Sequence, residues 1–97
     1  MTIYAVDIDG TLCENAFNGN WFQYDTLKPK PDVIAKINDL YGKGNDLVIL
    51  YTARFEEDRA VTESWLKIHG VKYNHLRMGK LRADVYIDSA AKRPEEL

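Results

Sequence analysis

Apolar residues fall into two periods along this chain, one suited to strands and one to helices. Ile3-Tyr4-Ala5-Val6 is short, branched and aromatic, so it reads as a buried strand that stops at Asp7-Ile8-Asp9-Gly10-Thr11-Leu12. Val33, Ile34, Ile37, Leu40 and Tyr41 recur at helical spacing on one face, behind a Pro31 suited to a first turn. Gly42 and Gly44 end that helix. Residues 46–52 are apolar almost throughout, which predicts a strand covered on both faces, as in a parallel sheet. A second helix follows, with Glu56, Glu57 and Asp58 in its first turn, where the macrodipole favours negative charge. Val61, Trp65 and Ile68 form its buried stripe with Leu66 beside it, and Gly70 stops it after Lys67 and His69. Residues 71–76 read as a weaker edge strand, Met78-Gly79-Lys80 as a tight turn and 83–88 as a fourth strand. Residues 90–97 are a short polar tail with room for one helical turn.

Strand, helix, strand at these lengths is a βαβ unit, so the expected fold is a minimal three-layer α/β domain with a small parallel sheet. Between the first strand and first helix, residues 13–30 lack sustained periodicity and read as a loop or small hairpin over the strand's end. Trp21, Phe22 and Tyr24 in it either pack the loop down or wall the mouth of a site. A length of 97 residues predicts one domain spanning 1–97. Apolar and charged shares of 45% and 29% are those of an ordinary globular protein. A net charge of −2 offers no general attraction for nucleic acid or acidic membranes. The single cysteine, Cys13, excludes an internal disulfide and fits a reducing compartment. Without a leader or a membrane-length apolar run, the expected location is the cytoplasm.

Candidate chemistry sits at the end of the first strand. Asp7 and Asp9 lie two residues apart and are expected on one side, where their charges oppose each other's ionisation. A hard divalent cation would offset that cost, and Asp7 would then be able to act as a nucleophile through an aspartyl-phosphate. In open parallel sheets ligands bind beyond the carboxyl ends of the strands. That rule gathers Asp7, Asp9, Thr52 and Asp88 in one crevice, with Lys80 in reach. The set suits phosphate-ester hydrolysis. A cation on Asp7, Asp88 and the Asp9 carbonyl, with Lys80 opposite, would screen the anionic phosphate. Asp9 would protonate the leaving oxygen and then activate water.

These residues resemble the haloacid dehalogenase-like superfamily of aspartate-nucleophile phosphatases. Asp7-Ile8-Asp9-Gly10-Thr11-Leu12 is similar to its first motif, and the apolar strand ending in Thr52 to its second. Lys80 and Val85-Tyr86-Ile87-Asp88 are similar to its third and fourth, in family order. Thr52-Ala53-Arg54 and the Gly79-Lys80 turn before Tyr86-Ile87-Asp88 resemble small bacterial members without a cap domain, associated with capsule or surface-polysaccharide synthesis. The resemblance implies a Rossmann-like fold, Mg2+ and an aspartyl-phosphate intermediate. It implies Asp7 as nucleophile, Asp9 as general acid/base and Lys80 as charge stabiliser. Asp7, Asp9 and Asp88 would hold the metal; Gly10, Thr11, Thr52, Ala53 and Arg54 would line the phosphate or substrate. A phosphorylated sugar or surface-glycan precursor is the expected substrate, in an open site that a second subunit would be able to cover.

Two positions depart from the pattern: Leu81 stands where proline usually follows the lysine, and Ser89 where a second acid usually follows Asp88. Asp84 does not replace that acid, since it begins the strand. Two competing readings stay in view: a catalytically weak or inactive binding module, which Ser89 motivates, and a receiver-like phosphoacceptor, whose doubly wound sheet also gathers Asp, Thr and Lys. Arg54 either grips a second anionic group or neutralises Glu56 and its neighbours. His69 reads as a helix-end residue, His75 as a strand-end residue and Cys13 as packing. Arg77, Arg82, Lys92 and Arg93 read as surface charges.

Overall fold

The computed structural model describes residues 1–15 and 21–97, with backbone alone at 21–23. Three parallel strands, β1 (Ile3–Asp7), β2 (Leu47–Tyr51) and β3 (His75–Arg77), lie in the order β1-β2-β3. Helices α1 (Pro31–Tyr41) and α2 (Arg59–Ile68) make the two crossovers. Ile3 pairs with Leu47 and Asp7 with Tyr51 across the first pair, and Ile49 with His75 across the second. That register ends β1 on a carboxylate beside the last residue of β2. The parallel sheet and both helices agree with the sequence pattern.

The layering does not. Val6, Val48 and Leu50 are buried in one apolar cluster with Ile34 and Ile37 of α1 and Trp65 and Leu66 of α2. Both helices thus pack on the side of the sheet that carries Val6, Val48 and Leu50, where two crossovers of the usual right hand, running in one direction, would place them. The alternate positions face the other way: Ile3 is 57% exposed, Ala5 is exposed, and Leu47, Ile49 and Tyr51 are half-buried. The described elements thus form two layers instead of three. The expected fourth strand is likewise not formed: residues 83–88 have no regular secondary structure, bend at Asp84, and are exposed and outside the sheet.

Smaller differences have local causes. Glu56–Asp58 forms a separate 3-10 turn before α2. Thr62 joins Trp65 and Leu66 on the buried stripe, while Ile68 is 74% exposed. The His69 ring lies against Trp65 instead, with centroids 4.3 Å apart. The hairpin expected within 13–30 is present at its base: Cys13 pairs antiparallel with Pro29, and Lys30 N–H donates to the Leu12 carbonyl at 2.8 Å. A 3-10 turn at Trp21–Thr26 completes the described part of this segment. Trp65 Nε1 donates to the Leu27 carbonyl at 2.9 Å, which fastens it to α2 and satisfies a buried N–H. The reading of Trp21 and Phe22 side chains falls outside what is described. Among the described residues, no helix is long and apolar enough to cross a membrane.

Candidate active site

The β1 backbone delivers Asp7 to the sheet end and then turns. Thr11 and Leu12 N–H both donate to the Ile8 carbonyl, at 3.1 and 2.9 Å, and Gly10 takes a positive φ of 82° within this turn. Thr11 is half-buried there, and Gly10 is exposed, its carbonyl accepting from Lys30 Nζ at 3.1 Å. A second turn brings Lys80 back. Thr52 N–H donates to the Arg77 carbonyl, Lys80 N–H to the Thr52 carbonyl at 2.8 Å, and Gly79 N–H to the Arg54 carbonyl at 2.9 Å. Gly79, at φ 82°, supplies the conformation that this reversal needs. Lys80 Nζ consequently stands 3.9 Å from Asp7 Oδ2.

Burial pushes the Asp7 carboxyl above its ordinary value of 3.8, against the opposing pull of Lys80 and of the Ile8 N–H on Oδ1. The Asp9 charge adds to the rise. Asp9 itself is fully engaged. Arg54 Nε donates to its Oδ2 at 3.0 Å and Nη2 to its Oδ1 at 2.6 Å, a two-pronged fork on a guanidinium only 2% exposed. The third Arg54 nitrogen donates to Thr62 Oγ1 at 2.9 Å, and the Tyr24 ring lies 3.8 Å from the guanidinium carbon. Thr52 is fully buried, its hydroxyl donating to Asp9 Oδ2 at 3.4 Å and accepting from Arg54 N–H at 3.1 Å.

The structure therefore brings Asp7, Asp9, Thr52, Arg54 and Lys80 together but redistributes them. Arg54 contacts neither Glu56 nor open solvent; Glu56 pairs with Arg59. Thr52 turns inward to Asp9, and half-buried Ala53 links it to Arg54. Thr62 and Tyr24 complete the buried network. Tyr24 stood among the loop aromatics in the sequence, and packing is its role here. Thr62 was missed, although a hydroxyl on the apolar stripe of α2 signals a buried polar partner.

Asp88 does not join them. It is exposed, and its Oδ1 accepts from the Ala90 N–H at 2.9 Å. The side chains that the resemblance implies as magnesium ligands, Asp7, Asp9 and Asp88, are consequently not gathered into one group. Among the described residues no three His, Cys, Asp or Glu side chains gather. The physical reason is the unformed fourth strand, which was to carry Asp88 to the sheet end.

Cys13 is fully buried, with Sγ 3.8 Å from Asp9 Oδ1. Burial first, then the Asp9 charge, pushes its thiol up to about 12. The thiolate is the reactive form, so a disulfide reagent such as DTNB is expected to leave the native protein unlabelled at mildly alkaline pH. Labelling is expected only after denaturation, followed by absorbance of the released thiolate.

No family model and no curated protein matches the chain. Its fold has counterparts among solved structures. A crystal structure of an MCSG target from Vibrio cholerae aligns with a TM-score of 0.80 at 25% identity, over 99% of this chain and 86% of that one. A chain of the Pnkp1/Rnl/Hen1 complex aligns with a TM-score of 0.68 at 24% identity, over 86% of this chain but 30% of that one. Both are similarities of fold.

Proposed function

We propose that the chain is a phosphomonoesterase of the haloacid dehalogenase-like type, with Asp7 as its nucleophile. The observation that carries this reading is the half-exposed Asp7 carboxylate at the end of β1 with Lys80 Nζ 3.9 Å away. An Asp7 oxygen attacks phosphorus, the bond to the ester oxygen breaks, and that oxygen leaves with the electron pair and takes up a proton. Water then attacks the acyl phosphate at phosphorus, the bond to Asp7 breaks, and inorganic phosphate departs with the carboxylate restored. Lys80 offsets charge on the phosphoryl oxygens. A phosphorylated sugar or surface-glycan precursor is the substrate class favoured, on the resemblance alone.

The test is repeated phosphate release from p-nitrophenyl phosphate and a panel of sugar phosphates, with and without added Mg2+. No release from any ester under either condition overturns the reading. Attack requires the ionised carboxylate, and burial favours the neutral form. The rate is therefore expected to fall on the acid side with a midpoint above 3.8. In Lys80→Met that midpoint moves higher still, because the ammonium lowers the Asp7 value. A pH–rate profile of both proteins checks this.

One observation favours a second reading, a phosphoacceptor without turnover. For Asp9 to exchange a proton with the leaving oxygen or with water, the Arg54 fork on its two oxygens must open. A burst of one equivalent of p-nitrophenol, with no further release, would mark that alternative.

A further inference from the structure

Lys80 ends in an unusual setting. Its Nζ lies 4.1 Å from the Tyr51 ring centroid and 3.8 Å from that of Tyr86, as well as 3.9 Å from Asp7 Oδ2. Tyr51 belongs to β2 and is the register partner of Asp7, so its position beside the carboxylate follows from sheet pairing. Tyr86 comes from the exposed segment after β3. Its hydroxyl accepts from Ala83 N–H at 2.9 Å and donates to the Leu81 carbonyl at 2.5 Å, closing a small local loop. A lysine stem is long and flexible, whereas ring faces attract an ammonium and restrict where it rests.

We infer that Tyr51 and Tyr86 form a two-ring clamp that positions the Lys80 ammonium beside Asp7. This makes Tyr86 a positioning residue, and its effect on turnover rests on the phosphomonoesterase reading above. The clamp gives the C-terminal segment a role at the site even though Asp88 takes no part there. It also separates two functions of one side chain: the ring holds Lys80, and the hydroxyl closes the loop. Tyr86 is 48% exposed, so its replacement leaves the buried core intact.

Ring currents make the clamp visible without any assay of activity. In proton–carbon NMR of the whole chain, the Lys80 Cε protons, assigned by their loss in Lys80→Met, are expected upfield of those of the other lysines. Tyr86→Leu should return them toward ordinary lysine positions, whereas Tyr86→Phe should keep most of the displacement. With p-nitrophenyl phosphate, Tyr86→Leu is expected to lower kcat about two- to fivefold with little change in KM, and Tyr86→Phe to recover it. Lys80 signals that do not respond to Tyr86→Leu, or that respond equally to Tyr86→Phe, overturn the clamp. A wild-type protein that shows the displaced signals and their response but releases no phosphate leaves the clamp standing and removes the enzymatic reading instead.

Discussion

Asp7→Asn is expected to stop phosphate release, by at least about a thousandfold, because an amide cannot form the acyl phosphate. The same variant is expected to be no less stable at neutral pH than the parent. The sign follows from linkage. Burial raises the Asp7 value in the folded protein, so the group's contribution to stability is greatest below the unfolded value. That contribution is lost as pH rises through the folded one. At neutral pH the ionised side chain is therefore a net cost that asparagine removes. Thermal unfolding of both proteins at pH 7, alongside a phosphate-release assay, distinguishes a lost nucleophile from a lost fold. A variant that unfolds well below the parent, or that keeps releasing phosphate, would refute this assignment.

Arg54→Met acts in the opposite sense, on stability first. Its guanidinium is 2% exposed and the Asp9 side chain 14%, so removing the cation strands a carboxylate with little solvent to receive it. Breaking a pair of this kind costs about 3–5 kcal/mol. In a domain of this size that lowers the unfolding midpoint by roughly 12–40 °C. Arg54→Lys should rescue little, since a single ammonium cannot reproduce the two prongs on Asp9 and the third bond to Thr62. The double variant Arg54→Met/Asp9→Asn should recover part of the loss, because no unpaired charge then remains inside. Calorimetry on the three variants measures each value. Equal losses in the single and double variants would mean that the fork is not what stabilises this corner.

Much of this architecture was legible in the residues alone. The apolar spacing located both helices and the first two strands, while the third, expected over 71–76, is confined to His75–Arg77; the placing of Asp7 after a buried strand predicted its position at the sheet end. What stayed hidden depended on relations between distant segments. The unbroken apolar run of β2 suggests cover on both sides, but both helices pack against Val48 and Leu50 and leave Ile49 and Tyr51 half-buried. Val85-Tyr86-Ile87 has the composition of a strand, yet composition cannot supply a neighbouring strand to bond with. Arg54 has Glu56 close by in sequence and still pairs with Asp9, because packing under Tyr24 and against Thr62 brings the guanidinium inward. Asp9 was expected in one crevice with Asp7, as general acid/base beside the nucleophile. The turn at Gly10 separates their partners, giving one carboxylate a lysine at the surface and the other an arginine in the interior.

The end position of β1 in the sheet bears on how this protein behaves when concentrated. Among the described residues, one side of that strand carries backbone amides and carbonyls without a neighbouring strand, and Ile3 and Ala5 set no charge there to repel an incoming chain. Foreign peptides, or identical molecules meeting rim to rim, would find a template for cross-chain ladders. A lysine at position 5 would act as a gatekeeper against such stacking and leave the opposite, packed side of β1 unchanged.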